Sequence, residues 1–270
     1  MHGGSRAAYA EGEKALGAAL SDADPAALGD DLFGVVGVLD GSASLRRAFA
    51  DSARDEADRQ ALARQIFGTR VGAPAMAVVD SVVAQRWAED RDLADSVESF
   101  AVQAVLAGAE RAGRADQVED ELFRFERTVA ANPQLRDTLS TRNADADGKA
   151  GLVQRLLDGK ATPETVRLAR QAVAQPRGRR LDRTFEEYLR LAAIRRDELT
   201  AVVTSAVPLD AQQEERLRSA LEGLYATTVT IQAVVDPRVV GGVHVRVGDE
   251  VIDGTILRRI NEARRHITGT

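Results

Sequence analysis

The carboxylates Asp249, Glu250 and Asp253 sit close enough in the chain to hold a metal ion or to share acid–base work. The same three residues also suit a hairpin turn followed by a helix cap, and without EF-hand spacing around them the turn-and-cap reading is preferred. The three histidines, His2, His244 and His266, are scattered, which argues against a histidine metal site. There is no cysteine, so thiolate nucleophiles, thiolate metal sites and disulfides are excluded, which fits a reducing compartment. Neither a Gly-x-x-x-x-Gly-Lys-Ser/Thr phosphate loop nor a Gly-x-Ser-x-Gly elbow occurs. No catalytic, cofactor-binding or metal-binding residue is therefore expected. Arg258, Arg259, Arg264, Arg265 and His266 gather positive charge near the end of the last expected helix. There they complement the helix dipole or form a docking face for an acidic partner helix.

The chain has 270 residues, 44% hydrophobic and only 4% aromatic, so its cores must be aliphatic. Forty-two acidic against 36 basic residues give a net charge of −6, which argues against a general nucleic-acid binder. Apolar stretches such as Ala73–Ala84, interrupted by Asp80, fall short of the ~20 residues of a membrane span. The first residues, Met1 to Arg6, lead into no apolar signal core, which predicts a cytoplasmic chain without direct membrane insertion.

An internal repeat runs at an offset of 90. Asp31-Leu32-Phe33 matches Glu121-Leu122-Phe123, Leu45-Arg46 matches Leu135-Arg136, and Val83-Ala84-Gln85 recurs as Val173-Ala174-Gln175. After a two-residue deletion, Arg91, Leu93, Glu98 and Phe100 align with Arg179, Leu181, Glu186 and Tyr188. Both copies read as helices. Leu93, Val97, Phe100, Ala101 and Ala104 form an apolar stripe, repeated by Leu181, Phe185, Tyr188, Leu189 and Ala192. Asn132-Pro133 and Thr162-Pro163 read as helix starts, and Gly41-Ser42, Gly68, Gly72–Pro74, Gly159–Pro163 and Pro176–Gly178 as breaks. Residues 1–105 are expected to hold an opening helix and a first helical unit, and residues 106–198 a second.

The pattern changes near Thr200. Ala201–Val207 and Val229–Val235 read as strands, separated by a helix with Leu217, Leu221, Leu224 and Tyr225 on one face. Val243, Val245 and Val247 alternate with polar residues, Gly248-Asp249 makes a turn, and Val251-Ile252 begins a return strand. A last helix carries Ile256, Ile260, Ala263 and Ile267. The expected fold is mainly α: a helical bundle domain with a duplicated unit, then a small α+β domain, residues 199–270, in the order β-α-β-β-β-α.

The C-terminal residues carry a resemblance. Val203-Thr204-Ser205-Ala206-Val207-Pro208, then Val235-Asp236-Pro237-Arg238-Val239-Val240-Gly241-Gly242-Val243, then Gly248-Asp249 and Ile252-Asp253-Gly254-Thr255 resemble the ATP synthase delta subunit family, whose mitochondrial relative is the oligomycin-sensitivity-conferring protein. The likeness covers residues 120–270 well and the first 105 more weakly. The sequence is similar to long actinobacterial forms and exceeds typical members by about one helical unit. The resemblance implies a non-catalytic stator subunit of a proton-translocating rotary ATP synthase, peripheral on the cytoplasmic face of the cell membrane. Its helical domain would bind the N-terminal helices of alpha subunits, and its small domain the b stalk, without cofactor or nucleic acid. It marks Asp236, Pro237, Gly241, Gly242, Gly248, Asp249, Asp253 and Gly254 as motif positions that are structural or stalk-binding. The apolar faces of Leu93, Val97 and Phe100 and of Leu181, Phe185 and Tyr188 are either walls of a partner-helix groove or internal core. A free-standing helical-repeat scaffold with a partner-binding tail is the alternative.

Overall fold

The computed structural model describes residues 3–141, 145–197, 199–225, 229–236, 243–247 and 250–253. Eleven helices come first: α1 (Gly3–Asp22), α2 (Pro25–Gly41), α3 (Ala43–Ala50), α4 (Glu56–Phe67), α5 (Ala73–Ala84), α6 (Asp90–Arg111), α7 (Ala115–Ala131), α8 (Pro133–Ser140), α9 (Ala146–Leu157), α10 (Pro163–Ala174) and α11 (Leu181–Asp197). Local chemistry fixes many of their ends. Asp24, Ser42, Asp145 and Thr162 each accept a backbone N–H at the start of α2, α3, α9 and α10, which satisfies donors that the helix itself cannot. Gly113, at φ 66°, closes α6: its N–H bonds Glu110 O and the next N–H, from Arg114, reaches back to Ala109 O. The expected breaks all fall at helix ends or between helices, and α6 runs on to Arg111.

The repeat is a property of the fold. Helices α2 to α5 recur as α7 to α10 with the same displacement of 90 at both ends of each helix, from 25–41 and 115–131 to 73–84 and 163–174. Tertiary bonds recur with them. Asp31 Oδ2 accepts the N–H of Gly72 at 2.7 Å, and Glu121 Oε2 accepts the N–H of Thr162 at 2.8 Å, in each case tying the start of the fifth helix of a copy to its second. Arg64 pairs with Asp80 at 2.9 Å; at the equivalent positions Arg170 donates to Gln154 at 3.2 Å, with donor and acceptor exchanged.

Helix α6 explains how two copies share one body. Residues 3–22 displaced by 90 become 93–112, so α6 is both the last helix of the set α1–α6 and the first of the set α6–α11. It packs against α1, α2, α3 and α5 and also against α7 and α10. Nearly every residue from Leu93 to Ala109 is accordingly buried, far more than one amphipathic face. Small side chains make this approach close. A Cβ on Gly12 would stand 2.5 Å from the Phe100 ring, and one on Gly29 2.8 Å from Val105 Cγ2. Gly12→Ala is therefore expected to cost about 1–3 kcal/mol, the overpacking cost, despite alanine's better helix propensity. A shift of the urea midpoint measures it, and an unchanged or raised midpoint would contradict the close packing.

The chain divides into two compact units, Met1–Ala193 and Ile194–Thr270. The first has one continuous apolar core running from Ala8 to Ala192. The expected division at 105/106 is thus corrected: it cuts α6, and both helical copies draw on the same core. The second unit contains β1 (Leu199–Ser205), α12 (Ala211–Tyr225), β2 (Val229–Val235), β3 (Val243–Val247) and β4 (Glu250–Asp253). The strands form one sheet in the order β2-β1-β3-β4, with β1 and β2 parallel and the other pairs antiparallel. Ala201, Val203, Leu221, Val229, Val245 and Val247 make its core. The first strand ends at Ser205, two residues earlier than expected, and Leu224 is exposed rather than on the buried face of its helix. The expected last helix lies outside the described residues.

Candidate functional site

In the second unit, Asp236 follows β2, and its N–H donates to Ser205 O at 2.9 Å, extending the pairing of β2 on β1 by one residue. Ser205 Oγ donates to Val207 O at 2.6 Å and turns the chain out of β1. Asp253 is the last residue of β4 and lies opposite His244 of β3. These observations give Asp236 a backbone role in the sheet. Pro237, Gly241, Gly242, Gly248, Asp249 and Gly254 lie outside the described residues, as do the arginines of the last expected helix. Among the described residues no group of three or more His, Asp and Glu side chains is placed to hold a metal ion. Val207, Leu224, Val234 and Val235 are exposed apolar side chains of this unit.

In the helical unit, Leu93, Val97, Phe100, Leu181, Phe185 and Tyr188 are all buried, none more than 7% exposed. Both stripes are core, and these residues form no open groove wall. The reason is the double use of α6, which is covered from both sides, and the docking of α11 on the bundle, with Phe185 edge-on to Phe125 of α7 at 5.7 Å. The open surface lies elsewhere. A cleft of about 680 Å³ runs between α2 and the α9–α10 pair, with Phe33, Leu157, Val166 and Ala174 among its lining residues and Asp30, Asp147, Asp158, Arg167 and Arg170 supplying its charge. Phe33 and Phe123 occupy equivalent repeat positions, yet Phe33 is 5% exposed and Phe123 53%. Here the two copies differ in surroundings rather than in sequence.

A charged cluster at the foot of α11 escaped sequence reasoning. Glu98, on α6, is buried; its Oε2 accepts from Arg177 at 2.6 Å and its Oε1 from Arg179 at 2.5 Å and from the Tyr188 hydroxyl at 3.2 Å. Arg177 also reaches Asp40, at the end of α2, at 2.6 Å and Asp95 at 2.9 Å. Burial disfavours the Arg177 charge, but Glu98, Asp40 and Asp95 together raise its pKa above the ordinary arginine value. Burial raises Asp95 against the opposing pull of Arg177, and burial followed by the neighbouring Glu98 charge raises the Tyr188 phenol well above its usual range. The partners lie 79 to 137 residues apart, so no local pattern reveals them. The one sequence signal is a glutamate in the midst of the apolar run of α6.

The repeated carboxylate tie offers a pH test. Burial alone pushes the Glu121 carboxyl up, but hydrogen bonds from the Thr162 N–H and the Thr165, Gln117 and Thr162 side chains outweigh it and leave the pKa below 4.5. A lowered folded pKa stabilises the fold above the ordinary glutamate value, and this contribution is lost as pH falls through the lowered one. Glu121→Gln is expected to cost about 1–3 kcal/mol at neutral pH and to flatten the acid limb of the stability curve below pH 4.5. Parallel acid limbs for both proteins in urea titrations would contradict this.

Comparison with known proteins adds the assignment. Residues 98–267 match the model of the ATP synthase delta (OSCP) subunit family, which begins within α6 and so takes in the second helical copy and the α+β unit. Full-length relatives include proteins named ATP synthase subunit delta from Kineococcus radiotolerans, 45% identical over 99% of this chain and 98% of the relative, and Streptomyces avermitilis, 46% identical over 98% of each. Another of that name from Thermobifida fusca is 42% identical over the full length of both chains. The additional N-terminal copy is therefore shared with these relatives. On both counts, the chain belongs to the ATP synthase delta (OSCP) subunit family.

Proposed function

We propose that this chain is a non-catalytic stator subunit of a proton-translocating rotary ATP synthase. Its helical unit binds the N-terminal helices of alpha subunits on the catalytic head, and its α+β unit binds the b stalk. It sits on the cytoplasmic face of the membrane as a peripheral subunit, and it resists rotor torque by area and stiffness. The observation that carries this reading is full-length similarity to delta subunits joined to a helical body with one uninterrupted core. In keeping with a peripheral position, no helix among the described residues is long and apolar enough to cross a membrane. The extra helical copy enlarges the contact with the head or with the stalk, and the exposed Val207, Val234 and Val235, near the ends of β1 and β2, are candidate stalk contacts.

Crosslinking mass spectrometry on the intact complex tests the assignment. Links are expected from the helical unit to the N-terminal segments of alpha and from residues 199–270 to b. Links from the α+β unit to alpha alone, or from neither unit to either partner, would overturn it.

A further inference from the structure

We propose that the Glu98 cluster is an anchor that holds α11 in register on α6, so that force arriving along α11 passes into both helical copies. The proposal rests on the stator reading for its purpose and on the geometry for its content. Helix α11 is the covalent route into the second compact unit, because its residues run from Leu181 to Asp197 across the division at 193/194. Its apolar stripe supplies adhesion but little register, since apolar contact is non-directional. The cluster supplies direction. Arg179 immediately upstream of α11 and Tyr188 midway along it both bond the same oxygen of Glu98, and Arg177 takes the other. Charge-assisted bonds of this kind are short and geometrically specific.

Two further observations single the cluster out. Arg177 takes a left-handed φ of 53°, a conformation that non-glycine residues adopt only when their surroundings impose it. Here three carboxylates, from α2 and α6, hold it there. The repeat also provides an internal comparison. Displaced to the first copy, Glu98 falls on Ala8 and Tyr188 on Phe100, both buried and neither able to take part in such a network. The first copy ends in α6, which meets α1 through the neutral Tyr9–Ser99–Gln103 bonds and the Ser5–Asp92 bond; the second ends in α11, which runs on into the second unit, and there a buried carboxylate takes two arginines instead.

The chain's lack of cysteine makes a force measurement direct. Handles at Arg54→Cys and Leu224→Cys of the full chain load α11; handles at Arg54→Cys and Arg127→Cys load the helical unit without it. Glu98→Gln keeps the shape of the side chain and removes the charge. At constant force it is expected to speed rupture on the first axis by about 100-fold, with less than about a two-fold change on the second. If Glu98→Gln does not fold, Tyr188→Phe, which removes one hydroxyl from an unchanged core, is expected to give about a ten-fold effect on the first axis alone. Equal acceleration on both axes would reduce the cluster to general stability, and no acceleration on the first would remove it as an anchor; either overturns the proposal. Failure of the stator reading shows separately, in the crosslinks.

Discussion

Glu98→Ala is expected to lower the unfolding free energy by about 3–5 kcal/mol, the cost of breaking a buried ion pair from one side. Removal of this carboxylate leaves Arg177, only 6% exposed, with Asp40 and Asp95, which are themselves partly solvated. Arg179 loses its ion-pair partner, and its Nε is already buried without a hydrogen bond. The fully buried Tyr188 hydroxyl loses its acceptor. Leaving such groups unsatisfied costs more than the bonds contribute when made. An internal control is at hand: Arg183 and Glu186 pair at 2.6 Å on the exposed face of α11, and Glu186→Ala is expected to cost about 1 kcal/mol at most. Urea unfolding followed by the single tryptophan, Trp87, compares the two. Equal losses would mean that burial does not set the strength of the cluster.

The second large effect concerns the stalk. A chain ending at Asp197 keeps the whole helical core, which runs from Ala8 to Ala192, and loses the sheet with its separate apolar centre. On the proposed role this truncated chain should bind an alpha N-terminal peptide within about two-fold of the full chain. It should lose at least about 100-fold in affinity for the b stalk, the equivalent of a few kcal/mol of buried contact. Titration calorimetry with each partner reads both. Retained b affinity would move the stalk contact into the helical unit.

Much of this architecture was legible in the amino-acid order. The offset of 90 appeared because equivalent core positions keep their apolar class, as Leu32 and Leu122 do, and α2–α5 recur as α7–α10 at that spacing. The strands were legible from alternating valines such as Val243, Val245 and Val247, although the parallel pairing of β2 on β1 was not. The domain boundary was misplaced because a helix shared by two copies has no boundary to show; its burial on all sides comes from neighbours that are distant in sequence. Leu93, Val97 and Phe100 looked like one face, yet α6 is buried around most of its girth. The Glu98 cluster was invisible for a related reason. Charges are common on helices, and only tertiary packing decides which of them meet inside. Of the motif residues, Asp236 bonds Ser205 through its backbone N–H, a contact that any residue but proline could make and that residue type therefore does not specify.

A stator works mechanically, so the coupling of hydrolysis to pumping is its decisive assay. In membranes whose ATP synthase lacks this chain, ATP hydrolysis and ATP-driven proton pumping are measured together before and after the purified full-length chain is added back. The expected result is hydrolysis with little pumping before addition and pumping restored in proportion to the chain bound. Full pumping without the chain, or no gain when it binds, would contradict a stator role.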